Sequence, residues 1–304
     1  MPAPEPRKLR AARGRMFGSL VDDVIADRVV HVWLPPDLVD PSDRRPVIYA
    51  CDGQNLFGSG QSLSGQSWQL DDALRQLGRA GVKLPIVVGV EHPPNRRAEY
   101  LHPKALVALP SLREVFVGAN GEPHGDLTID RLADQIKPVI DSTFPTLTDA
   151  KKTFIMGSSM GGLFSIFAIS RRPEVFSAAA ALSLHWQIVG RPLVDILAEG
   201  LPDASTHRIY VDHGTLTLDA RYLDKQPVFD ELARGRGYVD GTSYLSLEYP
   251  RTQHTEAAWA ARVVVPLAFL LVGTQVAAGL APAFGGAPTA RHVPQEMMRP
   301  YGRH

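Results

Sequence analysis

The chain has 304 residues, 44% of them hydrophobic. That is enough for a sizeable core, as one large α/β domain or two small ones. Its 32 basic and 32 acidic residues cancel, so no global field directs it to nucleic acid or to an anionic membrane. A single cysteine, Cys51, excludes an intramolecular disulfide and fits a reducing compartment.

Residues 1–15 are basic and proline-rich with no apolar h-region. They read as a flexible arm rather than a secretory signal, and a cytoplasmic protein is expected. Val21 to Leu34 holds two strand-like runs, closed by Pro35 and Pro36. Pro46 to Ala50 is a short apolar strand running into the turn Cys51-Asp52-Gly53. Residues 69–79 have helical spacing, Pro85 to Val90 is another buried strand, and a long polar loop is expected through Pro123. Thr128 to Phe144 places Ile129, Leu132, Ile136 and Ile140 on one helical face, although Pro138 falls inside it. Beyond residue 150 the pattern gives strands at Thr153 to Met156, Phe176 to Leu184, Arg208 to Asp212 and Tyr244 to Tyr249. Helices are expected after Ser159, at 192–200, at Tyr222 to Arg234 and at Thr255 to Val272. Val263 to Val272 is apolar but interrupted by Pro266 and too short to cross a bilayer. Residues 273–304, rich in Gly, Ala and Pro, read as an irregular tail.

Strands alternating with helices, without an internal repeat or linker, predict one α/β domain over 16–272 with a mostly parallel sheet and helices on both faces. Ligands on such sheets bind at the carboxyl ends of the strands.

The most informative segment is Thr153 to Gly162, T-F-I-M-G-S-S-M-G-G. It is a G-x-S-x-G set between a strand and a helix, the context of a nucleophile elbow. The two glycines suit a sharp turn that lifts Ser159 above the sheet, beside free N–H groups at a helix N-terminus. A serine hydroxyl needs a base to take its proton, and the base needs an acid to orient it. Among the histidines after Ser159, His254 lies between the last long strand and the last helix, where it reaches across the sheet edge. The acid belongs after Arg208 to Asp212, and Asp212, Asp219 and Asp224 are the candidates. Asp219, in the loop between strand and helix, is preferred, with Asp224 kept as the alternative. Two backbone donors are expected at the oxyanion, the N–H of Met160 and that of Gln54, with Gly53 allowing close approach of the backbone to substrate.

These pieces together resemble the putative-esterase family of α/β-hydrolases, which includes siderophore, feruloyl and acetylxylan esterases, S-formylglutathione hydrolases and mycolyltransferases. The resemblance rests on Y-A-C-D-G-Q-N-L-F at 49–57, V-G-V-E-H-P-P-N-R-R-A-E-Y at 88–100, F-I-M-G-S-S-M-G-G-L at 154–163, D-H-G-T-L-T-L-D-A-R-Y at 212–222 and Q-H-T-E-A-A-W at 253–259. It implies an α/β-hydrolase fold, a serine esterase acting on a small-molecule ester, Ser159 as nucleophile and His254 as base.

Further substrate contacts are expected from Arg96 and Tyr100 in the loop after Val90, with Arg96 pairing a carboxylate or phosphate. Trp68, His185 and Trp186 are expected to wall the pocket. There is no H-E-x-x-H and no cysteine pair, so neither metal nor other cofactor is expected. Acyl transfer to an alcohol or sugar, a non-catalytic binding role and a homo-oligomer all remain compatible with the sequence.

Overall fold

The computed structural model describes residues 20–58, 65–222, 224–289 and 298. The expected N-terminal arm lies outside them. Nine strands form one sheet: β1 (Leu20–Ile25), β2 (Arg28–Trp33), β3 (Val47–Cys51), β4 (Ile86–Val90), β5 (Thr153–Ser158), β6 (Ala178–Leu182), β7 (Arg208–Gly214), β8 (Tyr244–Tyr249) and β9 (Ala287–Pro288). Their order across the sheet is β1-β2-β4-β3-β5-β6-β7-β8-β9. The block from β4 to β8 is parallel, while β1, β2 and β9 pair antiparallel at the edges.

Both faces of the sheet are covered, and successive strand residues feed two separate cores. Tyr49, Cys51 and Ile155 pack to one side, with Leu163 and Phe164. Ile48, Ala50 and Met156 pack to the other, with Leu74 and Leu267. Such double burial explains why the strands read as continuous apolar runs instead of alternating ones.

The helices are α1 (Leu70–Arg79), α2 (Arg96–Tyr100), α3 (Pro110–Asn120), α4 (Gly125–Arg131), α5 (Lys137–Thr143), α6 (Met160–Arg171), α7 (Arg191–Glu199), α8 (Gln226–Gly235), α9 (Glu256–Ala260), α10 (Val264–Leu271) and α11 (Thr274–Leu280). Four expectations need correction. The long polar loop before Pro123 contains α2 and α3. The helix expected through Pro138 is α4 and α5 joined by a π turn at Leu132–Ile136, in which the Lys137 N–H reaches back to Leu132 O. Widening the turn just ahead of Pro138 accommodates its missing N–H and its ring without ending the helix. The last helix breaks into α9 and α10. The part of the expected irregular tail that is described instead forms α11, a 3₁₀ turn at Ala281–Phe284 and the edge strand β9.

No helix among the described residues is long and apolar enough to cross a membrane.

The elbow is where the packing is tightest. A Cβ on Gly157 would stand 2.6 Å from the Gly161 backbone and 3.0 Å from Cys51 Cβ; one on Gly161 would stand 2.9 Å from the same Cys51 atom. Strand β5, the N-terminus of α6 and the end of β3 therefore meet at glycine distance. Gly157→Ala is expected to lose about 1–3 kcal/mol of stability through this overpacking, read as a lower urea midpoint at constant slope.

Candidate active site

The carboxyl ends of β3, β5, β7 and β8 bring the chemistry-bearing loops together. Ser159 sits between β5 and α6 at φ 56°, ψ −119°. This conformation costs a residue with a Cβ about 1–3 kcal/mol, which the surrounding structure must offset. Its N–H donates to Leu182 O at 2.9 Å, and its own carbonyl accepts from the His185 N–H at 3.3 Å. The turn is thus pinned to the end of β6. Met160 is the first residue of α6, so its N–H belongs to the unsatisfied group at a helix N-terminus.

His254 and Asp219 meet from separate loops. His254 Nδ1 lies 2.5 Å from Asp219 Oδ1. The other carboxylate oxygen, Oδ2, accepts from Ser183 Oγ and from the Gly214 N–H, each at 2.7 Å. Asp219 is fully buried. Burial by itself drives a carboxyl's pKa up, but the bonds and charge from His254, Ser183 and Gly214 outweigh it and hold Asp219 below its ordinary value.

The two loops are also zipped to each other. The N–H groups of Thr215 and Leu216 donate to Thr252 O at 3.2 and 3.0 Å, and the His254 N–H donates to Thr217 Oγ1 at 3.0 Å. Gly214 is required here because a Cβ would stand 2.4 Å from Thr252 O.

Behind Asp219 lies a second polar layer that sequence reasoning missed. Ser183 Oγ accepts from Trp259 Nε1 at 3.1 Å and from Arg262 Nη2 at 3.0 Å. With both acceptor directions taken, its proton is left to point at Asp219. Arg262 is itself bound to Asp212, Nη2 to Oδ1 at 2.8 Å and Nε to Oδ2 at 3.1 Å. Tyr210 completes the group by donating to Asp212 Oδ2 at 2.7 Å. Asp212 is therefore a partner of Arg262, not of His254. Asp224 is exposed and pairs with Lys225.

Ser159 and His254 share a cleft of about 410 Å³ with Asp52, Gln54, Asn55, His92, Arg96, Ser158, Glu256 and Trp259. The Gln54 side chain accepts from the His92 N–H at 3.2 Å, which ties the loop after β3 to the loop after β4. Gly53 has a different reason from the expected one: its close approach is to β4, where a Cβ would lie 2.6 Å from the Gly89 carbonyl carbon.

Arg96 does not stand free for a substrate anion. It grips Asp52 with two bonds of 2.7 Å, Nε to Oδ1 and Nη2 to Oδ2. Tyr100 is buried beneath it, its ring 5.2 Å from the guanidinium and stacked on Phe164. Trp186 does not wall the cleft either. It is fully buried against Phe229, with its indole N–H on Gln226. Trp68 is one layer back, packed on Trp259, which in turn meets the edge of the His254 ring.

His185 lies 6.3 Å from His254 between ring centroids, with Nδ1 3.0 Å from Tyr222 Oη. Burial, then the neighbouring His254, pushes its pKa down to about 4.

Residues 25–270 match the family described as Putative esterase. The chain belongs to that family. Within it, the chain is 25% identical over 248 residues to the uncharacterized protein YbbA of Bacillus subtilis (strain 168), a match covering 79% of this chain and 91% of YbbA. It is 26% identical over 175 residues to the ferri-bacillibactin esterase BesA of the same organism, covering 53% of this chain and 55% of BesA. Among solved structures, a ferulic acid esterase superposes with TM-score 0.58 at 15% identity, covering 84% of this chain and 98% of that one, which shows a shared fold. Membership of the esterase family supports a hydrolase acting on esters.

Two stability predictions come from this geometry. Arg262→Met leaves Asp212 buried and uncompensated in this esterase-family chain. It is expected to cost about 3–5 kcal/mol by chemical denaturation. His185 is half-buried and held neutral, and must take up a proton on unfolding in acid. The stability linked to that neutrality is complete above its ordinary value of 6.5 and is lost as pH falls toward 4. His185→Gln should therefore flatten the stability curve over that interval, measured as Tm against pH.

Proposed function

We propose that the protein is a serine esterase that cleaves a small-molecule carboxylic ester through an acyl-enzyme. The observation that carries this reading is the 2.5 Å contact between Asp219 and His254 Nδ1, with His254 lining the same cleft as Ser159. An Asp on Nδ1 fixes the tautomer that leaves Nε2 free to accept a proton.

In this reading Ser159 Oγ attacks the ester carbonyl while His254 Nε2 takes the hydroxyl proton. The carbonyl π electrons move onto oxygen, and the N–H groups of Met160 and Gln54 hold that oxyanion. Collapse expels the alkoxide, which receives the proton from His254 and departs as the alcohol. Water then enters, loses a proton to His254 and attacks the acyl-enzyme. The second tetrahedral intermediate collapses, the Oγ–acyl bond breaks, Ser159 Oγ takes the proton back from His254, and the acid is released. Asp219 stays ionised throughout and stabilises the imidazolium that forms twice.

The cleft's Gln54, Asn55 and His92 suit an ester bearing hydroxyl or amide groups. The ferri-bacillibactin esterase activity of BesA supports a small-molecule ester as substrate.

The test is a panel of p-nitrophenyl esters of increasing chain length. Ser159→Ala and His254→Ala are expected to lose at least about 10³-fold in kcat. Two variants that hydrolyse as fast as the parent would overturn the reading. Asp219→Asn is expected to lose about 10²–10⁴-fold, whereas Asp224→Asn should stay near the parent. A fluorophosphonate probe is expected to label Ser159 and nothing in Ser159→Ala.

A further inference from the structure

The Asp52–Arg96 pair sits where a charge matters most. Asp52 follows β3 directly and is two residues before Gln54. It adopts the left-handed conformation, φ 58° and ψ 49°, at the head of the short 3₁₀ turn Gly53–Asn55. That backbone turns its carboxylate toward α6: Oδ2 lies 3.2 Å from where a Cβ on Gly161 would be. Gly161 is in the first turn of α6, two residues beyond Ser159. A negative side chain is thus packed beside the helix N-terminus that, in the serine-esterase reading, receives the oxyanion. Asp52 is 5% exposed, with Cys51 and Tyr100 equally buried beside it, so water screens this charge poorly.

An uncompensated carboxylate there favours the α6 N-terminus in the resting enzyme. It also repels the negative charge that develops on the ester oxygen, and so opposes the transition state more than the ground state. Arg96 removes that conflict. Its planar fork matches both carboxylate oxygens. Burial lowers the pKa of a guanidinium, but the Asp52 charge and hydrogen bonds more than offset it, so Arg96 stays protonated.

We infer that Arg96 serves the reaction by cancelling the buried charge of Asp52 beside the oxyanion, rather than by gripping an anionic substrate. This rests on the serine-esterase reading above. It makes Arg96 a positioning residue that acts through Asp52, and it gives the pair an unusual signature. Removing the cation alone is worse than removing both charges.

The experiment compares Arg96→Met, Asp52→Asn, the double variant D52N/R96M and Arg96→Lys on one p-nitrophenyl ester, with kcat and KM resolved. Arg96→Met is expected to lose about 10²-fold in kcat with KM within about threefold, the scale of losing one oxyanion donor. The double variant should recover at least about tenfold over Arg96→Met, and Arg96→Lys, which keeps the charge but not the fork, should also exceed it by about tenfold. A double variant as slow as Arg96→Met overturns the inference, since the pair then serves loop geometry alone. A rise in KM without loss of kcat also overturns it, because Arg96 then binds substrate. If Arg96→Met fails to fold, Arg96→Lys and D52N/R96M decide: either one falling about 10²-fold below the parent counts against charge cancellation. Fluorophosphonate labelling of the parent separates the two levels. Labelled parent without rescue sinks this inference only, whereas an unlabelled parent sinks the serine reading and this inference with it.

Discussion

Asp219 is the point on which the site depends. Its charge is fully buried at the end of the sheet, and such a charge persists only if enough donors surround it. Here the donors come from three places: the His254 ring after β8, the Ser183 hydroxyl after β6 and the Gly214 N–H at the end of β7. Each bond ties a different crossover to the same carboxylate. The requirement to satisfy one buried anion therefore also fixes where three loops end, and with them the orientation of the imidazole that faces Ser159's cleft.

A second buried anion, Asp212, lies one layer deeper and is met by Arg262 and Tyr210. The two layers share Ser183, which accepts from Arg262 and Trp259 and donates onward. A hydroxyl with both lone pairs engaged can only donate in the remaining direction, so the deeper pair directs the Ser183 proton onto Asp219. A third pair, Asp52 with Arg96, lines the cleft itself. Each of these three carboxylates is thus met by donors from a distant part of the chain.

Much of this arrangement is legible from local pattern. The parallel strands announce themselves as apolar runs because both of their faces are buried. The elbow glycines and Ser159 fall within five residues, so the turn is legible locally, although the approach of Cys51 that also requires those glycines is not. Asp219 and His254 each stand in the loop after an identifiable strand. The errors are equally instructive. α2 and α3 lie in a stretch whose polarity hid them; only Phe116 of α3 is buried, so no apolar stripe marks that helix. Trp186 follows the strand after the elbow as expected, yet the 3₁₀ turn at Trp186–Ile188 carries its ring into the core. The Gly-rich composition after residue 273 concealed α11, since small residues pack a helix closely without leaving an amphipathic signature.

By itself, then, the amino-acid order determined the alternating architecture and the sharp strand-to-helix turn at Ser159, because each is written in neighbouring residues with a short physical period. Tertiary structure alone decided which aspartate meets His254, that Arg96 is bound to Asp52, and that Ser183, Trp259 and Arg262 stand behind Asp219. Those partners are separated by 35 to 79 positions along the chain. Hydrogen bonding and charge pairing depend on distances of about 3 Å in space, and no local pattern encodes which distant loop will arrive there.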